Sequence, residues 1–121
     1  MKKVMIVDDE KAVVDLFDVI QEVCDFQLIA QAYSGEDAVE TYSKLRMKPD
    51  LIIMDQRMPG IDGVEASKKI LSIDKSAKIL FVSADPKVED SAIEAGAKGF
   101  IRKPFGLKEL EHAIKTAMEE K

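Results

Sequence analysis

The sequence has no tryptophan, a single cysteine (Cys24), a single histidine (His112), and only 4 prolines and 6 glycines. A lone cysteine cannot close an intramolecular disulfide, which excludes a disulfide-stapled scaffold and points to a reducing compartment. The scarcity of Pro and Gly, with no repeat or low-complexity tract, excludes a collagen-like or disordered chain. No apolar run approaches the length of a membrane span. Met1-Lys2-Lys3 is followed by only four apolar residues before a charge, too few for a secretion signal. Positive charge is in the minority: 18 Lys and Arg against 23 Asp and Glu leave a net charge of −5, which disfavours a general phosphate-backbone binder.

What is present is a chain of 121 residues of which 46% are hydrophobic. Area scaling gives ~19,600 Å² exposed when unfolded and ~6,500 Å² when folded, so roughly two-thirds is buried. That is enough for one core without staples. The expectation is one acidic cytoplasmic domain over residues 1–121.

Short apolar runs alternate with longer amphipathic ones, five times over. Val4-Met5-Ile6-Val7 predicts a buried strand ended by Asp8-Asp9. From Lys11 to Cys24 the apolar residues Val13, Leu16, Phe17, Ile20, Val23 and Cys24 recur at the spacing of one helix face. Gln27 to Ala32 is the second strand. Ser34 with Asp37 opens a helix whose inner face is Ala38, Val39, Tyr42 and Leu45, and Pro49 follows it. Leu51-Ile52-Ile53-Met54 is an uninterrupted apolar strand that needs cover on both faces, as in a parallel sheet. Asp62 with Glu65 opens a third helix to about Ile73, and Lys78 to Val82 is the fourth strand. A helix from Pro86 to Ala95 has only Val88, Ala92, Ile93 and Ala95 as anchors, and Gly96 is placed to end it in a left-handed conformation. Gly99 to Arg102 is the fifth strand. Leu107, Leu110, Ile114 and Ala117 line the last helix. Five βα units predict an α/β fold: an open, doubly wound five-stranded parallel sheet with five helices, too few units for a closed barrel.

All strand C-termini of such a sheet lie along one edge, and ligands bind there. That edge collects Asp8 and Asp9 after the first strand, Asp55 after the third, Ser83 after the fourth and Lys103 after the fifth. Singly, each has an ordinary explanation: Asp8, Asp9 and Ser83 as helix caps, Asp55 as a turn residue, Lys103 as a solvated charge. Those explanations fail jointly, because chance does not readily place acids, hydroxyl and amine at successive strand ends. Three converging carboxylates repel one another and call for a cation, and carboxylate oxygens with room for waters and a phosphate favour Mg²⁺, with Mn²⁺ as the alternative ion. A compact ammonium and a hydroxyl suit phosphoryl oxygens, and a carboxylate can itself be the nucleophile, giving an acyl phosphate.

With these residues in hand, the chain resembles the receiver domain of bacterial and archaeal two-component response regulators. The matching elements are Ile6-Val7-Asp8-Asp9-Glu10, Met54-Asp55, Met58-Pro59-Gly60-Ile61-Asp62-Gly63, Val82-Ser83-Ala84 and Lys103-Pro104-Phe105. The resemblance implies the flavodoxin-like strand order 2-1-3-4-5. It implies Asp55 as phosphoacceptor, and Asp8 and Asp9 as the acidic pair for Mg²⁺, with Asp9 the direct ligand and Asp8 acting partly through water. Asp55 and the backbone carbonyl of Arg57 would complete the protein ligands. It also implies that Lys103 pairs with a phosphoryl oxygen and precedes a cis bond to Pro104. Ser83 would shift toward the phosphoryl group and Phe100 would act as the switch aromatic turning inward behind it. The face of the fourth helix, fifth strand and fifth helix would be what partners read.

The family often has an apolar residue at position 56 and tyrosine at 100, where this chain has Gln56 and Phe100. Gln56, Arg57 and Asp85 occupy modulating positions, and Arg57 and Asp85 are candidates for an ion pair across the mouth of the site. His112 falls about 200° around its helix from Leu110, hence on the wet side, so the phosphodonor histidine has to come from a partner kinase or phosphotransfer protein. Cys24 packs in the core. The chain is expected to be no enzyme beyond gaining and losing its own phosphate. The sequence stops after the last helix, so the expectation is a stand-alone regulator, monomeric or weakly dimeric, acting on a protein target without binding nucleic acid or membrane.

Two other classes fit the fold less well. A flavin or nucleotide module needs a phosphate-cradling loop after the first strand, where Asp8-Asp9-Glu10 repels phosphate instead, and there is no tryptophan to stack a flavin. A phosphatase with Asp8 as nucleophile lacks a cap domain. A receiver acting only as a constitutive scaffold would not need the intact acid, hydroxyl and lysine set.

Overall fold

A computed structural model describes residues 1–119. Five parallel strands, β1 (Lys2–Val7), β2 (Phe26–Ala32), β3 (Leu51–Asp55), β4 (Ile79–Ser83) and β5 (Gly99–Arg102), form one sheet in the order β2-β1-β3-β4-β5. Between and after them run α1 (Lys11–Ile20), α2 (Gly35–Lys44), α3 (Gly63–Ile73), α4 (Glu89–Glu94) and α5 (Leu107–Met118). The sheet order reverses between β1 and β3, which opens a crevice at their C-terminal ends. No helix among the described residues is long and apolar enough to cross a membrane.

The sheet divides the core into two layers. Val4, Ile6, Leu51, Ile53, Leu80 and Val82 face α1 and α5. Their strand neighbours Met5, Val7, Ile52, Met54, Ile79 and Phe81 face α2, α3 and α4. Residues 51–55 and 79–83 are buried throughout, which is why those strands read as unbroken apolar runs. Ser34 and Asp62 cap α2 and α3 as predicted, accepting the Asp37 and Glu65 N–H groups at 3.0 and 2.9 Å. Gly96 ends α4 at φ +109°, and Cys24 is buried.

Three expectations need correction. Helix α1 stops at Ile20, not Cys24. The Phe26 N–H returns to the Gln21 carbonyl at 3.0 Å through Asp25 at φ +58°, a left-handed turn that aspartate tolerates. Its buried stripe is Val14, Phe17 and Ile20, so Leu16 (46% exposed) and Val23 (67%) point to solvent. The predicted fourth helix splits into a 3₁₀ turn over Pro86–Val88 and the six-residue α4, buried only at Ala92. On α5, Leu107 is exposed and the inner face begins at Leu110.

Gly63 stands where no side chain fits. A methyl group added at Gly63 would lie 2.2 Å from the Asp55 carbonyl oxygen and 2.9 Å from the Phe81 ring. The first turn of α3 therefore rests directly on the end of β3. Replacing Gly63 by Ala is expected to destabilise the fold by ~1–3 kcal/mol despite the better helix propensity of alanine. Urea unfolding checks this, and a midpoint equal to that of the parent would show the close approach to be relaxed in solution.

Candidate functional site

The four loops at the C-terminal edge of β1, β3, β4 and β5 bring the predicted polar residues together. Asp8 follows β1 in line, its N–H bonded to the Ala32 carbonyl of β2 at 3.1 Å. Asp55 ends β3, paired with Val82 of β4. Lys103 follows β5, where its N–H reaches the Ser83 carbonyl at 3.0 Å and extends the ladder by one residue. Its bond to Pro104 is cis, as the resemblance implied.

Lys103 Nζ donates to Asp8 Oδ2 at 3.0 Å and to Asp55 Oδ1 at 3.1 Å. Both carboxylates are almost fully buried, whereas Asp9 is exposed. Carboxylate oxygens of Asp8, Asp9 and Asp55 lie within 4.8 Å of one another. Against these three negative charges stands one ammonium group. Burial, and then the charge of Asp8, push the Asp55 carboxyl up to about 6 against the opposing pull of Lys103. Burial draws the Lys103 ammonium down, but Asp55 and Asp8 outweigh it and hold its pKa above the usual value. The excess of negative charge on oxygen ligands, open to solvent at Asp9, fits a hard divalent cation such as Mg²⁺.

Asp8 does not cap α1. Its Oδ1 accepts the Glu10 N–H at 2.9 Å, and the capping position of α1 is Glu10, with no side-chain cap bond. Ser83 does not cap α4 either. It is buried, and its hydroxyl accepts the Asp85 N–H at 3.1 Å while lining, with Asp9, Asp55 and Lys103, a depression of about 180 Å³. The ordinary explanations for these residues are thus set aside by their actual hydrogen bonds.

Arg57 and Asp85 face each other at 3.9 Å, with Arg57 largely in solvent. Asp85 also caps the 3₁₀ turn by accepting the Lys87 N–H. Exposed pairs of this kind contribute only ~0–1 kcal/mol, so any effect of this one lies in access to the site. Gln56 lines, with Asp9, Arg57 and Asp62, the depression on the β3 side of the crevice, and its side chain is bonded to the first turn of α3. Phe100 is half-buried on the far side of Phe81, the rings stacked at 6.4 Å with planes 10° apart. His112 is exposed, as its helical position predicted.

Two supports were not read from the sequence. Glu36, in the first turn of α2, accepts the Ile61 N–H at 3.2 Å, and a methyl at Gly35 would collide with Ile61. The loop after β3 is thereby held by α2 as well as by α3. Nothing local marks Glu36, because its partner is 25 residues away.

A sequence profile described as response regulator receiver domain matches residues 4–115. The chain is similar to the chemotaxis protein CheY of Listeria monocytogenes, 37% identical over 119 residues and covering 97% of this chain and 98% of that one. CheY of Thermotoga maritima is 41% identical over 106 residues, 86% of this chain and 87% of the other. Among solved structures, a CheX–CheY–BeF₃–Mg²⁺ complex from Borrelia burgdorferi superposes with a TM-score of 0.91 at 28% identity, covering 98% of this chain and 90% of that one. Sheet order, acidic crevice and near full-length similarity lead to one conclusion. The chain belongs to the response regulator receiver domains, the CheY-type switches of two-component signalling.

Proposed function

We propose that Asp55 takes a phosphoryl group from the phosphohistidine of a partner kinase or histidine phosphotransfer protein. The observation that carries this reading is the Lys103 ammonium bridging buried Asp8 and Asp55 beside Asp9. Asp8, Asp9 and Asp55, with the Arg57 carbonyl, would hold Mg²⁺ or alternatively Mn²⁺, which supplies charge neutralisation for the phosphoryl oxygens. Lys103 engages one oxygen of Asp55 and leaves the other as nucleophile. That oxygen forms the new bond to phosphorus as the bond to the imidazole nitrogen breaks, and the imidazole keeps the electron pair and takes up a proton. Lys103 can then turn from the carboxylate to a phosphoryl oxygen, and the Ser83 hydroxyl can donate to another.

Closure of Ser83 on the phosphoryl group would draw the loop that leads into α4. That helix has one buried residue, Ala92, and so resists displacement weakly. Movement of Phe100 off Phe81 would accompany it and remodel the α4–β5–α5 face read by a protein target. On this reading the chain is not an enzyme turning over external substrate, it resides in the cytoplasm, and its net charge of −5 argues against nucleic acid as the partner.

Acetyl phosphate with Mg²⁺ is expected to add one phosphoryl group per chain by intact mass, and none to Asp55→Ala. Continuous turnover of the donor, or an adduct that persists in Asp55→Ala, would favour a phosphatase or another acceptor. Arg57→Ala is expected to change the decay rate of the phosphorylated form, measured by loss of that adduct. An unchanged rate removes the Arg57–Asp85 pair from any role in water access.

The raised pKa of Asp55 gives a pH test. Its folded value of about 6 lies above the ordinary 3.8, so the native state binds the extra proton between them. The contribution is favourable at low pH and is lost as pH rises from about 4 through 6. Relative to Asp55→Asn, the metal-free protein is expected to lose at most ~3 kcal/mol over that range, measured by urea unfolding in chelator. Saturating Mg²⁺ narrows the difference by binding the ionised form. Parallel stability profiles for the two proteins would contradict the assignment.

A further inference from the structure

Gln56 makes three hydrogen bonds, all to the start of α3. Its carbonyl accepts the Gly63 N–H at 3.0 Å, its Oε1 accepts the Val64 N–H at 2.9 Å, and its Nε2 donates to Asp62 Oδ2 at 3.0 Å. The Val64 N–H can only donate, so it fixes which end of the amide is oxygen and leaves the NH₂ group to Asp62. Asp62 is itself committed, its other oxygen accepting the Glu65 N–H at 2.9 Å. Gln56 therefore closes a ring that includes the end of β3, the helix cap and the first turn of α3. The ring seats on Gly63, the one position where α3 has no side chain to hold it off the Asp55 carbonyl. An apolar side chain at position 56 could occupy the space but could satisfy neither the Val64 donor nor the Asp62 acceptor.

This ring flanks the metal side of the crevice. Asp55 precedes Gln56 and Arg57 follows it, so the backbone at 57 leaves from a residue pinned at both its main chain and its side chain. From these bonds we infer that Gln56 is a positioning residue for divalent-cation binding, presetting the backbone of residues 55–57 so that the cation does not have to order it. The inference rests on the metal site in the function proposed above. Groups that orient metal ligands without touching the ion typically change affinity by about 10–100-fold when removed.

The test is Mg²⁺ affinity by calorimetry on the whole chain, compared between the parent and Gln56→Met, which keeps length and volume but neither hydrogen-bonding end. The dissociation constant is expected to rise about tenfold, and the Mg²⁺ concentration that half-saturates phosphoryl uptake from acetyl phosphate is expected to rise by the same factor. Should Gln56→Met fail to fold, Asp62→Ser serves instead. It keeps an oxygen for the Glu65 N–H, removes the acceptor of the Gln56 amide, and is expected to weaken Mg²⁺ binding about threefold, the effect of one hydrogen bond. Lower thermal stability with unaltered Mg²⁺ affinity would make Gln56 a helix cap alone and overturn the inference. A parent protein that binds no Mg²⁺ would overturn the metal site as well. Equal affinity in parent and variant overturns only the role of Gln56.

Discussion

A single ammonium group allows two carboxylates to be buried side by side. Asp8 and Asp55 sit buried at the reversal point of the sheet, where solvent screens their charges poorly, and Lys103 contacts both at about 3 Å. Without it, the end of β1 and the end of β3 would repel each other at close range. With it, the compensation is still incomplete: Asp9 adds a third negative charge, and the proton affinity of Asp55 stays raised. The folded chain thus holds an electrostatic deficit open to solvent on one side. A divalent cation such as Mg²⁺ fits that excess of negative charge.

The site is braced unevenly. On the β3 side, the loop after Asp55 is bonded to α3 by Gln56 and to α2 by Glu36, and two close contacts at Gly35 and Gly63 leave little room for movement. On the β4 side, Ser83 leads into a 3₁₀ turn and a helix with one buried residue. Asp55 and the backbone of Arg57 lie on the firm side and the proposed moving groups on the loose side. On the proposed function, this division would let a change at Asp55 propagate toward α4 and β5 while the acidic cluster stays in place.

Much of the fold was legible because a parallel sheet covered on both faces leaves an unambiguous mark. Leu51 to Met54 and Leu80 to Val82 can hardly be anything but buried strands, and Ser34 and Asp62 announce their helices by local hydrogen bonds. Helix faces were less legible. The spacing after Lys11 allowed Leu16 and Val23 into the core, yet the buried stripe of α1 runs through Val14, Phe17 and Ile20, and Val23 lies beyond the helix end. The end of α1 follows from the left-handed turn at Asp25 that leads into β2, and the break before α4 from the Asp85-capped 3₁₀ turn, neither of which periodicity records.

Residue types at strand ends were set by the sequence itself: acids after β1 and β3, a hydroxyl after β4, an amine after β5. Their meaning depended on distance. Lys103 meets partners 95 and 48 residues away, and only the pairing of β5 with β4, β4 with β3, and β3 with β1 turns those separations into hydrogen bonds. The three-way hold of Gln56 on α3 and the reach of Glu36 to Ile61 were likewise decided by packing. Local sequence fixes what a side chain is able to bond. Only the assembled sheet and helices determine what lies within about 3 Å of it, the reach that a hydrogen bond requires.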